Sequence, residues 1–121
     1  MRDVTYRKCR DYVLFKCTAE YEMELYKSYI VFVKTILDEK HMDTAIIDLR
    51  DTKSDVPTFD KFELAGFMLQ TWGRNYRLGI LNDKSLINKF FETVMVNRGG
   101  IVFVSGDFGE IKKWINKINK R

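Results

Sequence analysis

The run Ala45-Ile46-Ile47, inside Thr44–Leu49, restricts the fold of this chain more than any other segment. Three unbroken apolar residues closed by Asp48 are too few for a helix, and a half-exposed strand would alternate apolar with polar side chains. The segment therefore reads as a central strand covered on both faces. It runs into Arg50–Thr58, RDTKSDVPT, a stretch rich in hydroxyls and charges. In open α/β sheets, functional groups gather where strands hand over to helices at their carboxyl ends. That makes this loop the first place to look for function.

The remaining segments arrange themselves around that strand. Val4–Lys8 and Tyr12–Thr18 are rich in aromatic and β-branched residues and flank Arg10-Asp11, which predicts a tight antiparallel pair. In the second of them Tyr12, Leu14 and Lys16 should share one face, and Val13, Phe15 and Cys17 the other. From Glu22 to about Glu39 the period lengthens, and Tyr26, Tyr29, Ile30, Val33, Ile36 and Leu37 form one apolar helical stripe. Pro57 holds Val56 extended, so Thr58 is expected to cap a second helix from Phe59 to Trp72, with Asp60 in its first turn. Phe62, Ala65, Leu69 and Trp72 are its expected buried face, and Gly73 its stop.

Tyr76–Leu81 reads as a further strand, and Asn82-Asp83 as the cap of a third helix over Ser85–Val96. In NRGG, Asn97–Gly100, either glycine can take the left-handed backbone that ends a helix. Asn97 and Arg98 then serve to end the helix and anchor the loop. Ile101–Val104 is the last strand. Asp107 and Glu110 make a capping-box variant for a final helix carrying Phe108, Ile111, Trp114, Ile115 and Ile118 on one face. The order ββαβαβαβα predicts one α/β domain over residues 1–121, with a five-stranded mixed sheet, an initial antiparallel hairpin and four helices.

Composition narrows the classes of function. The 21 cations are offset by 17 anions spread along the chain, which is no nucleic-acid signature. The closing Lys112, Lys113, Lys117, Lys120 and Arg121 suit the solvated carboxyl end of a helix. No leader pattern or apolar run of about 20 residues is present, so a cytoplasmic protein without stable membrane insertion is expected. Cys9 and Cys17 are expected to be free thiols, and with the lone His41 they show no metal-ligand spacing. SGDFG at Ser105–Gly109 lacks the spacing of a phosphate loop, and no other motif implies a cofactor. Asp48 lacks the companions of a phospho-accepting aspartate and is expected to shape the loop or pair with Arg50. No set of nucleophile, base and orienting group is visible, which disfavours an enzyme and leaves no catalytic residue to name.

IIDLRDT at Ile46–Thr52, TFDKFELAGFM at Thr58–Met68, YRLGIL at Tyr76–Leu81, INKFFETVMVNRGG at Ile87–Gly100 and VFVSGDFGEIKKWI at Val102–Ile115 follow one another in an order that carries a resemblance. Together they resemble the SpoIIAA-like branch of the STAS fold, the sulphate-transporter and anti-sigma-factor-antagonist domains. The resemblance implies an α/β sandwich and a regulatory module that binds another protein. Phosphorylatable antagonists of that fold carry a D-S-S/x-G-like turn at the start of the second helix, whereas RDTKSDVPT is longer and contains Pro57. Arg50, Thr52, Ser54 and Thr58 are the candidate interaction or phosphorylation residues, with local loop and capping roles as the plainer alternative.

A competing expectation comes from the second helix. Phe59, Phe62, Phe67, Met68 and Trp72 make it apolar around much of its circumference, more than one sheet can cover. The surplus would serve a homodimer interface, or a pocket for a small apolar ligand or lipid lined by Phe62, Phe67 and Trp72. The similarity of this fold to the CRAL-TRIO lipid-transfer domains points the same way. A pocket for a ligand of ordinary size requires a connected cavity of about 300 Å³ or more.

Overall fold

Alternation in the second strand divides the interior into two cores. A computed structural model describes every residue except 53, 88, 120 and 121. Strands β1 (Val4–Lys8) and β2 (Val13–Cys17) pair antiparallel, with Tyr6 opposite Phe15 and Val4 opposite Cys17. Val13, Phe15 and Cys17 are buried on one face, and Leu14 joins Tyr12 on the other. From there β3 (Thr44–Asp48), β4 (Arg77–Leu81) and β5 (Ile101–Ser105) add in parallel, giving the order β1-β2-β3-β4-β5. The Thr44–Asp48 strand is the middle one, and all five of its residues are buried.

Each parallel step needs a crossover, and crossovers of one hand that advance in one direction lay their helices on one face. Helices α1 (Met23–Glu39), α2 (Thr58–Trp72) and α3 (Phe90–Asn97) accordingly form one layer, α1 against α2 and α2 against α3. The six residues of the α1 stripe are all buried in this larger core, with Ala45, Ile47, Leu78, Val102 and Val104. Helix α4 (Phe108–Asn119) follows the last strand and crosses to the opposite face, where Ile111 and Ile115 close a small core with Ile46 and Leu81. Gly79 lies under that helix. A Cβ there would come within 2.5 Å of Ile111 Cγ2, so the absence of a side chain lets α4 approach the sheet.

Two elements differ from the sequence reading. The expected third helix over Ser85–Val96 is split into a 3₁₀ turn at Lys84–Leu86 and α3, because Ile87 is extended and Lys89 takes a left-handed backbone with φ 63°. Asp83 accepts hydrogen bonds from the N–H and hydroxyl of Ser85, and so caps the turn rather than the long helix. The buried face of α2 is Leu64, Ala65, Met68 and Trp72, rotated from the expected one, which leaves Phe62 47% exposed. Elsewhere the reading agrees with the structure: α3 ends through Gly99 at φ 89°, and Asp107 Oδ1 accepts from Glu110 N–H at 3.3 Å. The Glu110 carboxylate does not complete a reciprocal box, because it receives the Ser105 hydroxyl at 2.5 Å.

The exposed border of β5 is closed by α3. Glu92 accepts from Val104 N–H at 2.6 Å, and Lys89, paired with Glu92 at 3.1 Å, donates to the Val104 carbonyl. Two side chains thereby take the positions a further strand would occupy, which blunts an edge open to unwanted pairing.

Candidate functional site

Of the residues singled out in the sequence, Arg50, Thr52 and Ser54 sit on the connection from β3 to α2 and Thr58 opens α2, at the carboxyl end of the sheet, and local hydrogen bonding decides which of them face solvent. Asp48 ends β3 with only 7% of its surface exposed. Its carboxylate accepts from Arg50 backbone N–H at 3.0 Å, from Nε at 3.0 Å and from Nη2 at 2.9 Å. Burial pushes this carboxyl up, but the guanidinium and the N–H together outweigh it and hold it below the usual carboxylate range. Arg50, about half-exposed, is therefore fixed against the strand end rather than projecting from the loop. Beside it, Lys16 and Asp51 form an exposed pair at 2.9 Å.

A carboxyl whose folded value is depressed contributes stability above its unfolded value, near 3.9, and loses it as pH falls through the folded value. Asp48→Asn is therefore expected to be about 1–2 kcal/mol less stable than wild type at pH 7, after allowance for the half-exposed partner. The difference should narrow as pH falls through that depressed folded value and close once both states of the wild-type carboxyl are protonated. Urea unfolding midpoints from pH 7 down through the acid range measure it, and a gap that does not narrow as pH falls would assign the loss to packing instead.

The loop hydroxyls fall into three environments. Thr52 is 5% exposed, and its Oγ donates to the Leu49 carbonyl at 2.8 Å, which removes it from the accessible surface. Ser54 is half-buried and tied on both sides: it accepts from Tyr21 N–H at 3.0 Å and donates to the Thr52 carbonyl at 3.2 Å. Tyr21 in turn donates its hydroxyl to Asp60 of α2 at 2.6 Å, so the loop is clamped between the entry to α1 and the first turn of α2. Thr58 is exposed. It does not cap the helix as expected but is its first residue. Pro57, extended at φ −56° and ψ 148°, stands at the cap, and its carbonyl accepts from Lys61 N–H at 3.0 Å. A proline lacks the N–H that would go unpaired there, so the local geometry is an inexpensive way to begin the helix.

Next to Thr58 the surface turns apolar. Phe59 is 90% exposed, and Phe62, one turn on, carries the Arg98 guanidinium 4.4 Å above its ring. Arg98 thus links α3 to α2 in addition to following the end of its own helix. Fully solvated phenylalanine is uncommon, and here it adjoins Thr58, the most exposed hydroxyl of the three candidates.

Behind this surface lies a cavity of about 130 Å³, partly open to solvent. It is bounded by α1, α2, the sheet and the segment leading into α3, and reaches the carboxyl ends of the strands at Leu49, Ile80 and Val104. Phe62, Phe67 and Trp72 are not on its wall; Leu64 and Met68 take that position on α2. Phe62 is turned outward, Phe67 lies under Lys27 Nζ at 5.5 Å, and Trp72 is buried with its indole N–H on the Ile30 carbonyl at 2.8 Å. Periodicity could not have separated these residues, because apolar side chains surround α2 on nearly every side. The polar wall residues Lys61, Asn82, Lys89 and Glu92 were likewise missed, being scattered over α2, α3 and the segment between β4 and α3 with no shared spacing.

Among the described residues no three His, Cys, Asp or Glu side chains gather as metal ligands, and no helix is long and apolar enough to cross a membrane. Cys9 and Cys17 are free thiols. No protein-family model matches the chain, and comparison with curated proteins returns no significant match.

Proposed function

We propose that this chain is a STAS-like regulatory module that binds a protein partner through Thr58, Phe59, Phe62 and the adjoining loop. The observation that carries this reading is Phe59, almost wholly solvated at the first turn of α2 beside an exposed threonine. Aromatic anchors of this kind dominate binding energy in protein interfaces. The loop is held in place by Asp48–Arg50, Ser54–Tyr21 and Tyr21–Asp60, so little conformational entropy is lost when a partner docks. The STAS assignment draws support from the order ββαβαβαβα with the loop after the central strand leading into α2. A charge at Thr58 would enter at a helix amino terminus, which tolerates negative charge, so a modification could alter docking while leaving the fold intact.

Quantitative affinity capture from the native host, using the wild-type chain with Phe59→Ser and Thr58→Glu, tests this. Proteins retained by wild type should fall at least about tenfold with each variant, the scale of a lost interface anchor. Both variants should unfold within about 0.5 kcal/mol of wild type, as surface substitutions do. Equal recovery with all three chains would refute the assignment. Sedimentation of the three chains identifies the case in which the partner is a second copy.

A further inference from the structure

The two borders of the sheet are not alike. At β5 the side chains of Glu92 and Lys89 occupy the backbone of Val104, whereas at β1 no side chain among the described residues takes the corresponding place. We infer that the β1 border receives an extended, acidic segment of a partner protein, which adds to the sheet as a further strand. The border is separate from the Phe59 surface, and the inference stands independently of the reading given for that surface. The cavity is the weaker candidate, since about 130 Å³ is well short of the roughly 300 Å³ of ordinary ligand pockets.

Hydrogen-bond parity shows which backbone groups are open. Cys9 N–H donates to the Tyr12 carbonyl and Thr18 N–H to the Asp3 carbonyl, both at 2.9 Å. Both pairs continue the register that sets Thr5 opposite Lys16 and Arg7 opposite Leu14. Directly opposed antiparallel residues alternate between exchanging both hydrogen bonds and exchanging none. Asp3, Thr5, Arg7 and Cys9 therefore turn their backbone groups to β2, and Val4, Tyr6 and Lys8 turn theirs outward. Outward N–H and C=O groups on alternate residues are what strand addition uses.

Charge selects the occupant. Residues 2–10 carry Arg2, Arg7, Lys8 and Arg10 against one acid, Asp3. Arg2 pairs with Asp3 at 3.3 Å, while Arg7, Lys8 and Arg10 make no ion pair among the described residues. A second copy laid along β1 would bring the same excess of cations against itself, and charged borders of this kind keep identical chains apart. An acidic strand meets the opposite condition. The two faces differ as well: Arg7 lies with Thr5 on one, and Val4 with Tyr6 on the other, where the Tyr6 ring is 6.0 Å from Phe32 and the residue 43% exposed. A segment that alternates acidic with apolar side chains complements both.

Amide NMR of the full chain titrated with three blocked heptapeptides provides the test: Glu-Val-Glu-Val-Glu-Val-Glu, its lysine counterpart, and Glu-Val-Glu-Pro-Glu-Val-Glu. The first is expected to shift the Val4, Tyr6 and Lys8 amides saturably and to slow their hydrogen exchange. The lysine peptide should be silent. The proline peptide keeps the charge but loses a central N–H, and should bind at least about tenfold more weakly. The double variant Arg7→Glu, Lys8→Glu changes two exposed side chains and should weaken the first peptide by at least about tenfold, while Phe59→Ser should bind it undiminished. The inference fails if the first peptide gives no saturable shift at these amides, if the proline peptide binds as tightly, if the folded double variant binds undiminished, or if Phe59→Ser abolishes binding. Sedimentation of the free chain as a dimer that Lys8→Pro converts to a monomer would overturn it in favour of a second copy.

Discussion

Replacing Trp72 by Ala is expected to lower the free energy of unfolding by about 3–5 kcal/mol, the range for truncating a buried indole. Trp72 is 5% exposed and sits at the carboxyl end of α2, packed against Tyr76 with ring centroids 5.7 Å apart. Its Nε1–H crosses to the Ile30 carbonyl in the middle of α1, so one side chain joins two helices by both area and a buried hydrogen bond. Trp72→Phe keeps most of the area and loses the donor, and should cost about 1–2 kcal/mol. Urea unfolding of the two variants separates the contributions. A Trp72→Ala loss below about 1.5 kcal/mol would mean that the site collapses around the gap or that the indole packs loosely. The expected size of the effect follows from where the structure puts this residue, as a brace between helices and not as the wall of a ligand pocket.

Ile111→Ala is expected to destabilise by about 2–5 kcal/mol, for a different reason. Among the described residues, the face of the sheet opposite α1–α3 is covered by α4 alone of the helices, and the small core beneath it has four fully buried members: Ile46, Leu81, Ile111 and Ile115. A core with so few members has little neighbouring material to relax into a vacancy. Gly79→Ala should also destabilise, by about 1–3 kcal/mol, because its new Cβ would fall 2.5 Å from Ile111 Cγ2. The two changes should not add. The alanine methyl at 79 enters the space that Ile111→Ala empties, so the double variant should be more stable than the sum of losses implies by at least about 0.5–1 kcal/mol. Thermal or urea unfolding of the four chains completes the cycle. Strict additivity would show that α4 shifts away from the sheet instead of holding its register over Gly79.

Residues whose burial follows from local period were readable in the sequence. The α1 stripe is one case: Tyr26, Tyr29, Ile30, Val33, Ile36 and Leu37 are buried while Lys34 and Asp38 pair on the outside at 2.8 Å. Strand β2 is another, with Val13, Phe15 and Cys17 turned to one core and Leu14 to the other. The pairing of Asp48 with Arg50 was also legible, because the two are neighbours in the chain and a buried strand end needs its carboxylate satisfied.

The candidate site was legible only as a location. Arg50, Thr52, Ser54 and Thr58 do cluster at the carboxyl end of the central strand, yet of the three hydroxyls Thr58 alone is fully exposed while Ser54 is half-buried and Thr52 buried. Thr52 and Ser54 are withdrawn by bonds to Leu49 and Tyr21, the second of them 33 residues away in the chain. In the same way, α2 carries apolar residues on nearly every side, so its own period could not say that Phe62 faces out and Leu64 in.

The sequence by itself determined the elements, their order and the central position of Thr44–Asp48, because hydrophobic period and turn residues act over a few positions and crossovers have one hand. Only the tertiary structure decided the turn of α2, the left-handed break at Lys89, the outward Phe59 beside Thr58 and the cavity behind them. Each of these depends on which distant side chains compete for the same volume, and that competition is settled by packing across the whole chain rather than by any local pattern.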